Sequence, residues 1–267
     1  MTQPFDQRTS YKIVIIGSGK VAGQLGPALE KSGHSVVSVY SRSRGKAESL
    51  CRHLRAAEAV HDLDFTSTIA KIFLIAVSDD AIHKVAAQLK LPERSIVLHT
   101  SGAKPIEVLS SAPAEIGVLY PLQTFSESKA IDFVQIPWLI ETRTRSVFPV
   151  VEKLAKSLSK KVVHASSAQR LAIHTAAVFA SNFTNHMLHI ADDIVSDQGL
   201  SLELLQPLIK ETFLKLEEMS PASAQTGPAL RKDVSTMKLH EDFLDEEYSS
   251  LSNLYRVISE SIQYKAK

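Results

Sequence analysis

The sequence predicts an α/β fold, a doubly wound parallel sheet over residues 1–164, followed by an all-helical domain over 165–267. Three observations predict it. Strand-type apolar runs alternate with helix-type stretches through the first part. The first run, Lys12-Ile13-Val14-Ile15-Ile16, breaks straight into Gly17-Ser18-Gly19-Lys20-Val21-Ala22. After about Ala165 the strand-type runs stop and long helical stretches replace them. The chain of 267 residues is 44% hydrophobic, enough for one large domain or two ordinary ones with real cores.

The strand candidates, in order, are Lys12–Ile16, Ser35–Tyr40, 72–77, 95–99, 117–120 and 138–141, with 161–164 as a last edge strand. Helical stretches lie between them at 21–32, closed by Gly33 as a stop signal, and at 45–57, 81–89 and 105–109. In the second part, 167–198 reads as one long helix stopped by Gly199, 202–219 as a second and 241–262 as a third, with Pro221, Gly227 and Pro228 in the loop before the last. Leu244, Tyr248, Leu251, Tyr255, Ile258 and Ile262 recur at spacings of four and three. That stripe packs against a helix of the same chain or of a second subunit.

The glycine turn is the most specific signal. Gly17 permits the tight turn, Gly19 leaves the backbone open to phosphates, and the small Ala22 lets the helix pack on the strand. The N–H groups of the helix start then face an anion along a favourable dipole. A strand, this turn, a helix and a second strand together form a dinucleotide-binding βαβ unit, with Gly17, Ser18, Gly19, Lys20 and Val21 against the pyrophosphate. An NAD site usually places an acid at the end of the second strand. Here that end reads Tyr40-Ser41-Arg42-Ser43-Arg44. A hydroxyl and a guanidinium suit a 2′-phosphate, so Ser41 and Arg42 predict NADP. The competing reading leaves Arg42 and Arg44 as solvated loop charges.

Composition narrows the setting. A net charge of +1 gives no strong pull toward nucleic acid or anionic membrane. The single cysteine, Cys51, excludes an internal disulfide and fits a reducing compartment. The first ten residues are polar, and no apolar run reaches membrane-spanning length. A cytoplasmic protein is expected.

Ligands of open parallel sheets lie beyond the carboxyl ends of the strands. Val77-Ser78-Asp79-Asp80 would pass the cofactor ribose at Val77 and Ser78, and Ser78, Asp79 or Asp80 would also cap the next helix. In His99-Thr100-Ser101-Gly102, Gly102 allows close approach to a ring and the hydroxyls, Ser101 among them, can bind a carboxamide or the substrate; a capped turn explains them as well. In Tyr120-Pro121-Leu122-Gln123-Thr124-Phe125, Gln123 and Thr124 can face the cleft. The long helix supplies His174, Ser181, Asn182, Asn185, His186 and His189 amid alanines. At 3.6 residues per turn, His174, Val178, Ser181, Asn185 and His189 share one face, with Asn182 and His186 on an adjacent stripe. Polar groups on an apolar helix serve either interhelix hydrogen bonds or a substrate cleft with histidine as acid or base. His186, His189 and Asp193 have metal-like spacing without a fourth ligand, and no metal is expected. Arg231, in Gln225-Thr226-Gly227-Pro228-Ala229-Leu230-Arg231, can clamp a substrate carboxylate or phosphate, or is a solvated helix start.

Taken together, Gly17-Ser18-Gly19, Ala76-Val77-Ser78-Asp79-Asp80, His99-Thr100-Ser101-Gly102-Ala103, Tyr120-Pro121-Leu122-Gln123-Thr124-Phe125, Asn182-Phe183-Thr184-Asn185-His186 and Gln225-Thr226-Gly227-Pro228 resemble a family of candidate NADP oxidoreductases over nearly the whole chain. Its members pair a Rossmann-like domain with a helical domain of unassigned function. The family is similar to pyrroline-5-carboxylate reductase, the deazaflavin-dependent NADP reductases and the 6-phosphogluconate and β-hydroxyacid dehydrogenases. The resemblance implies NADP on the first domain, a substrate cleft between domains, and a homodimer formed through a 6-phosphogluconate dehydrogenase-like helical domain. The β-hydroxyacid dehydrogenases carry a catalytic Lys on the first long helix and an Asn one turn later. If Asn185 matches that Asn, the Lys position is Ser181, and no Lys lies between Lys161 and Lys210. Lysine-assisted alcohol oxidation is therefore not carried over. Imine reduction or hydride exchange with a flavin-like cofactor stays open.

The reading is an NADP(H)-dependent oxidoreductase acting on a small molecule. Asn182 and His186 would activate the substrate, and Gln123, His174, Asn185 and Arg231 would contact it. The alternative is a dinucleotide-binding sensor or scaffold without turnover, which the absent lysine favours.

Overall fold

The structure is a computed structural model that describes residues 10–126 and 131–265. Its strands are β1 (Lys12–Ile16), β2 (Ser35–Tyr40), β3 (Glu58–Val60), β4 (Ile72–Ile75), β5 (Ile96–His99), β6 (Glu115–Pro121), β7 (Trp138–Thr142) and β8 (Val162–His164). Helices α1 (Lys20–Lys31), α2 (Arg44–Cys51), α3 (Ile82–Ala86) and α4 (Phe148–Leu158) connect them. They form one eight-stranded sheet in the order β3-β2-β1-β4-β5-β6-β7-β8. Strands β1 and β4 carry four consecutive buried residues each, the mark of a strand covered on both faces. Two apolar layers result. One side of the sheet packs Ile13, Ile15, Leu25, Leu29 and Leu74. The other packs Val14, Ile16, Phe73, Ile75 and Ile82.

The sheet is doubly wound, with departures at both edges. Strand β7 runs antiparallel to β6, and β8 is parallel to β7, so the last two strands reverse the direction of the rest. A run of apolar residues encodes burial but no direction, so the all-parallel expectation fails there. The helix expected at 45–57 ends at Cys51, and the chain enters β3 at Glu58. The stretch at 105–109 is a 3-10 turn, Ile106–Leu109, instead of an α-helix.

The chain divides into two compact units, Met1–His186 and Met187–Lys267. The long helix runs from the first into the second as α5 (Ser167–Ala177), a π segment (Val178–Phe183) and α6 (Thr184–Asp197). Its start is fixed by a capping box, in which the Ser166 hydroxyl accepts from the Gln169 N–H and Gln169 accepts from the Ser166 N–H. Its end meets Gly199 at φ +69°. The π segment inserts an extra residue, so the regular 3.6-residue projection that aligns His174 with Asn185 does not run through it.

The second unit continues with a 3-10 turn and α7 (Gln206–Glu218), the short α8 (Pro221–Ala224) and α9 (Pro228–Arg231), then α10 (Val234–Glu247) and α11 (Ser249–Lys265). The single helix expected at 241–262 is thus two helices, broken at Tyr248, whose φ of −141° is not helical. The apolar stripe survives the break. Leu244, Leu251, Tyr255 and Ile258 line an apolar cavity of about 260 Å³ together with Met187 and Ile190 of α6.

Candidate functional site

In this strand order the chain reverses its winding between β1 and β4, and the crevice outside their carboxyl ends is where such sheets take ligands. The residues there are Gly17 and Ala76. Gly17 has φ +130°, and a Cβ on it would lie 2.1 Å from the Ala76 carbonyl oxygen. Only glycine lets the first turn press against the end of β4. Its N–H donates to the Tyr40 carbonyl at 2.8 Å, which joins the turn to the end of β2 as well. Gly19 differs. It is the N-cap of α1 at φ −83°, makes no side-chain cap bond, and a Cβ on it would meet nothing within 4 Å. The helix start therefore opens onto free space with its first N–H groups uncapped by a side chain. That is the cradle a pyrophosphate needs, and the residues fit a dinucleotide. Lys20 and Val21 follow as the first turn of α1.

The Ser18 hydroxyl donates to Ser41 Oγ at 2.8 Å, and Ser41 Oγ also accepts the Ser43 N–H at 3.3 Å. The glycine turn and the end of β2 are thus tied through two hydroxyls. Arg44 pairs with Glu48 at 2.7 Å on its own helix. Arg42 is exposed and makes no ion pair among the described residues. Of the two arginines, Arg42 is the one with its guanidinium uncommitted.

At the end of β4, Ser78 is the N-cap of a 3-10 turn over Asp79–Ala81 but its side chain makes no capping bond, and neither Asp79 nor Asp80 supplies one. The cap expected from these side chains is made by backbone alone, the Ala81 N–H reaching the Ser78 carbonyl at 2.8 Å. Val77 and Ser78 line this exit. After β5, Ser101 Oγ accepts the N–H groups of Ala103 and Lys104 at 3.2 and 3.0 Å, so this hydroxyl caps its own turn. A Cβ on Gly102 would lie 2.6 Å from His174 Nδ1 and 2.7 Å from Tyr120 Cζ. The rings that approach Gly102 are those of the protein itself. Tyr120 Oη and His174 Nδ1 are 3.1 Å apart, and the rings meet edge to face at 5.9 Å between centroids.

The start of α5 is anchored to the sheet by a buried ion pair. Arg170, 1% exposed, binds the Glu141 carboxylate of β7 and donates to the Lys104 carbonyl at 2.6 Å. Glu141 also accepts the Ser167 N–H and hydroxyl at 3.0 and 2.8 Å. His99 lies fully buried nearby with Nδ1 accepting the Ser101 N–H at 3.1 Å. Burial first, and the Arg170 charge second, push its pKa down to about 3, while the Pro105 carbonyl opposes them. His99 is therefore a neutral structural histidine at ordinary pH.

The predicted site residues fall into separate groups. Gly17, Ser18, Gly19, Lys20, Val21, Ser41, Arg42, Val77 and Ser78 all lie at the carboxyl ends of β1, β2 and β4. His174 meets the end of β6. Gln123 is exposed and turned back on itself, its side-chain oxygen accepting the Thr124 N–H at 2.8 Å. Asn182 lies in the π segment, and Asn185 and His186 are in the first turn of α6; all three are exposed. π segments recur at functional sites. Arg231 is exposed at the end of α9, in the second unit. Among the described residues no three His, Cys, Asp or Glu side chains gather to hold a metal ion. None of the described helices is long and apolar enough to cross a membrane. Sequence reasoning missed Tyr120 as the partner of His174, and it missed Arg170 with Glu141. The signal for Tyr120 was its place as the last aromatic before Pro121 at a strand end. Arg170 and Glu141 left none, being 29 residues apart.

Residues 2–123 match the family described as a Rossmann-like domain, and residues 136–262 match a domain of unknown function, DUF2520. None of the curated protein sequences matches the chain. Among solved structures, a candidate NADP oxidoreductase from Bacteroides fragilis is 34% identical, with a TM-score of 0.83, covering 96% of this chain and 98% of that one. A reductive aminase from Aspergillus terreus, in complex with NADPH and ethyl-5-oxohexanoate, is 14% identical with a TM-score of 0.69, over 96% and 95% of the two chains. A 1-pyrroline-5-carboxylate reductase from Streptococcus pyogenes is 13% identical with a TM-score of 0.64, over 96% and 99%. The last two likenesses are of fold. With two domain matches in series and a 34% identical relative along nearly its whole length, the chain belongs to the family that joins a Rossmann-like domain to the DUF2520 domain.

Proposed function

We propose that this protein is an NADP(H)-dependent oxidoreductase acting on a small molecule. The observation that carries the reading is the asymmetry of the two glycines. Gly17 is required by its own fold, whereas Gly19 leaves empty space at an uncapped helix start that the fold does not use. Gly17, Ser18, Gly19, Lys20 and Val21 would hold the pyrophosphate. Ser41 and Arg42 would hold a 2′-phosphate, and Val77, Ser78 and Ser101 would border the rest of the cofactor. The 34% identical relative, described as an NADP oxidoreductase candidate, supports the same cofactor.

A bound NADPH supplies a hydride. The chain's own part is to present an acceptor to it and to complement the charge that develops. Asn182 can donate and accept through its amide, and His186 can donate or accept through its ring nitrogens. Both are assigned to substrate activation, with Gln123, His174, Asn185 and Arg231 as contacts. The chemistry asks less acid–base help than alcohol oxidation, in keeping with the absence of any Lys between Lys161 and Lys210. A homodimer through the helical region and a cytoplasmic setting complete the reading. Exposed Leu204, Leu208, Phe213 and Leu239 favour the dimer, since each is more than two-fifths exposed.

The test is NADPH consumption across a panel of imines, keto acids and flavin-like acceptors. Turnover with at least one class is expected. NADPH binding with no turnover anywhere in the panel would replace the enzyme by the sensor or scaffold.

A further inference from the structure

The contact between Tyr120 and His174 fixes more than a side-chain position. Tyr120 is 7% exposed, and its hydroxyl has one hydrogen-bond partner among the described residues, His174 Nδ1 at 3.1 Å. A hydroxyl that shut away must give its proton to an acceptor or leave a buried donor unsatisfied, which costs about 1–3 kcal/mol. Among the described residues the one acceptor in reach is Nδ1, so the phenol donates to it and Nδ1 carries a lone pair. Burial raises the Tyr120 pKa, so the phenol keeps its proton. A neutral imidazole with a lone pair on Nδ1 carries its hydrogen on Nε2.

Nε2 has no hydrogen-bond partner among the described residues. It is also absent from the buried polar atoms that lack a partner, which are His99 Nε2, Trp138 Nε1, Arg170 Nε and Ser252 Oγ. The ring is half-buried, with one nitrogen committed inward and the other open. Gly102 makes the arrangement possible, because any side chain there would strike both rings. All three residues lie at or against the carboxyl ends of β5 and β6, on the edge of the sheet where ligands bind.

We propose that Tyr120 is a positioning residue that holds His174 as the Nε2–H tautomer, and that this N–H donates a hydrogen bond to the oxygen or nitrogen of an uncharged C=O or C=N acceptor. The proposal deepens the oxidoreductase reading and rests on it for the acceptor. When NADPH gives its hydride to the carbon of that group and becomes NADP+, the Nε2–H hydrogen bond stabilises the charge that develops on the oxygen or nitrogen, and a proton from solvent reaching this half-buried edge completes the alcohol or amine. The preferred substrate class is then a ketone, aldehyde or neutral imine with a free lone pair. A cationic iminium has no lone pair for the donor to meet.

Nitrogen-15 NMR of the histidine-labelled full chain reads the tautomer directly, with the His174 signal identified by its loss in His174→Gln. The expected spectrum shows an unprotonated Nδ1 and a protonated Nε2 in the wild type, and mixed tautomers in Tyr120→Phe. A protonated Nδ1 in the wild type, or an unchanged tautomer in Tyr120→Phe, would overturn the positioning. With the best acceptor of the panel, His174→Gln should lower kcat roughly 100-fold at unaltered NADPH affinity, and Gly102→Ala should follow it by displacing the ring. Unchanged kcat in His174→Gln would overturn the donor role. If no acceptor is reduced at all, the oxidoreductase reading and the donor role fall together, while the NMR result decides the positioning separately.

Discussion

Acidifying the solution weakens the sheet through one buried histidine, by an amount that follows from its surroundings. His99 has a folded pKa of about 3 against an ordinary 6.5. Below 6.5 the unfolded chain takes up a proton at this residue that the folded chain refuses, so stability falls as pH falls. The loss begins near the unfolded value and is complete only near the folded one. At about pH 5 the free imidazole is protonated by about 30 to 1 while the buried one stays neutral; about 1.5 units at about 1.4 kcal/mol each gives about 2 kcal/mol. The assay is urea unfolding at about pH 7.5 and about pH 5, comparing wild type with His99→Asn, whose amide oxygen keeps an acceptor for the Ser101 N–H. Trp138, the one tryptophan, is fully buried in β7 and reports on this sheet. His34 also has a pKa lowered by burial, and the comparison cancels it because both proteins carry it. Wild type should lose about 2 kcal/mol more than the variant over that interval. Parallel losses would show that His99 is not a buried neutral group.

Other expectations follow from the same geometry. Gly17→Ala places a Cβ 2.1 Å from the Ala76 carbonyl at a positive φ, and should cost about 2 kcal/mol or more in unfolding experiments. Arg170→Met removes the ion-pair partner of the Glu141 carboxylate, whose side chain is 18% exposed, and should cost about 3–5 kcal/mol by the same assay. Arg42→Ala should weaken NADPH at least about tenfold and leave NADH unchanged, since a single charged hydrogen bond is worth about 1.5–3 kcal/mol; equal losses for both would remove Arg42 from the 2′-phosphate. His186→Ala and Asn182→Ala should lower turnover while NADPH affinity holds, and wild-type rates would refute their assignment. Sedimentation at micromolar concentration should show twice the chain mass, with a monomer contradicting the dimer drawn from the exposed helical leucines.

Much of this was legible in the sequence because local physics and global fold agree at the first βαβ unit. Lys12–Ile16 is apolar throughout, Gly17 and Gly19 are adjacent to it, and Gly33 closes the helix at φ +92°. Burial patterns gave the central strands for the same reason. Three features were hidden. Strand β3 is three residues, Glu58–Val60, too short for a period to show. The reversal at β7 is a matter of strand direction, which no strand pattern records. The break at Tyr248 interrupts an apolar stripe that continues on both sides, with neither Gly nor Pro to mark it. In the candidate site, the cofactor turn was readable because its residues are contiguous. The pair Tyr120–His174 and the pair Glu141–Arg170 are formed by residues 54 and 29 apart, and only the folded sheet brings them together.

The proposed cofactor site rests on Gly19 as space kept for a ligand. The decisive measurement is NADPH and NADH titration of wild type and Gly19→Ala, with unfolding recorded on the same samples. Because Gly19 has φ −83° and free space where a Cβ would sit, the only cost of the variant is a poorer N-cap, and it should unfold within about 1 kcal/mol of wild type. Wild type should bind NADPH more tightly than NADH, and the added methyl should abolish that binding. A variant that folds equally well and binds NADPH as wild type does would contradict the account.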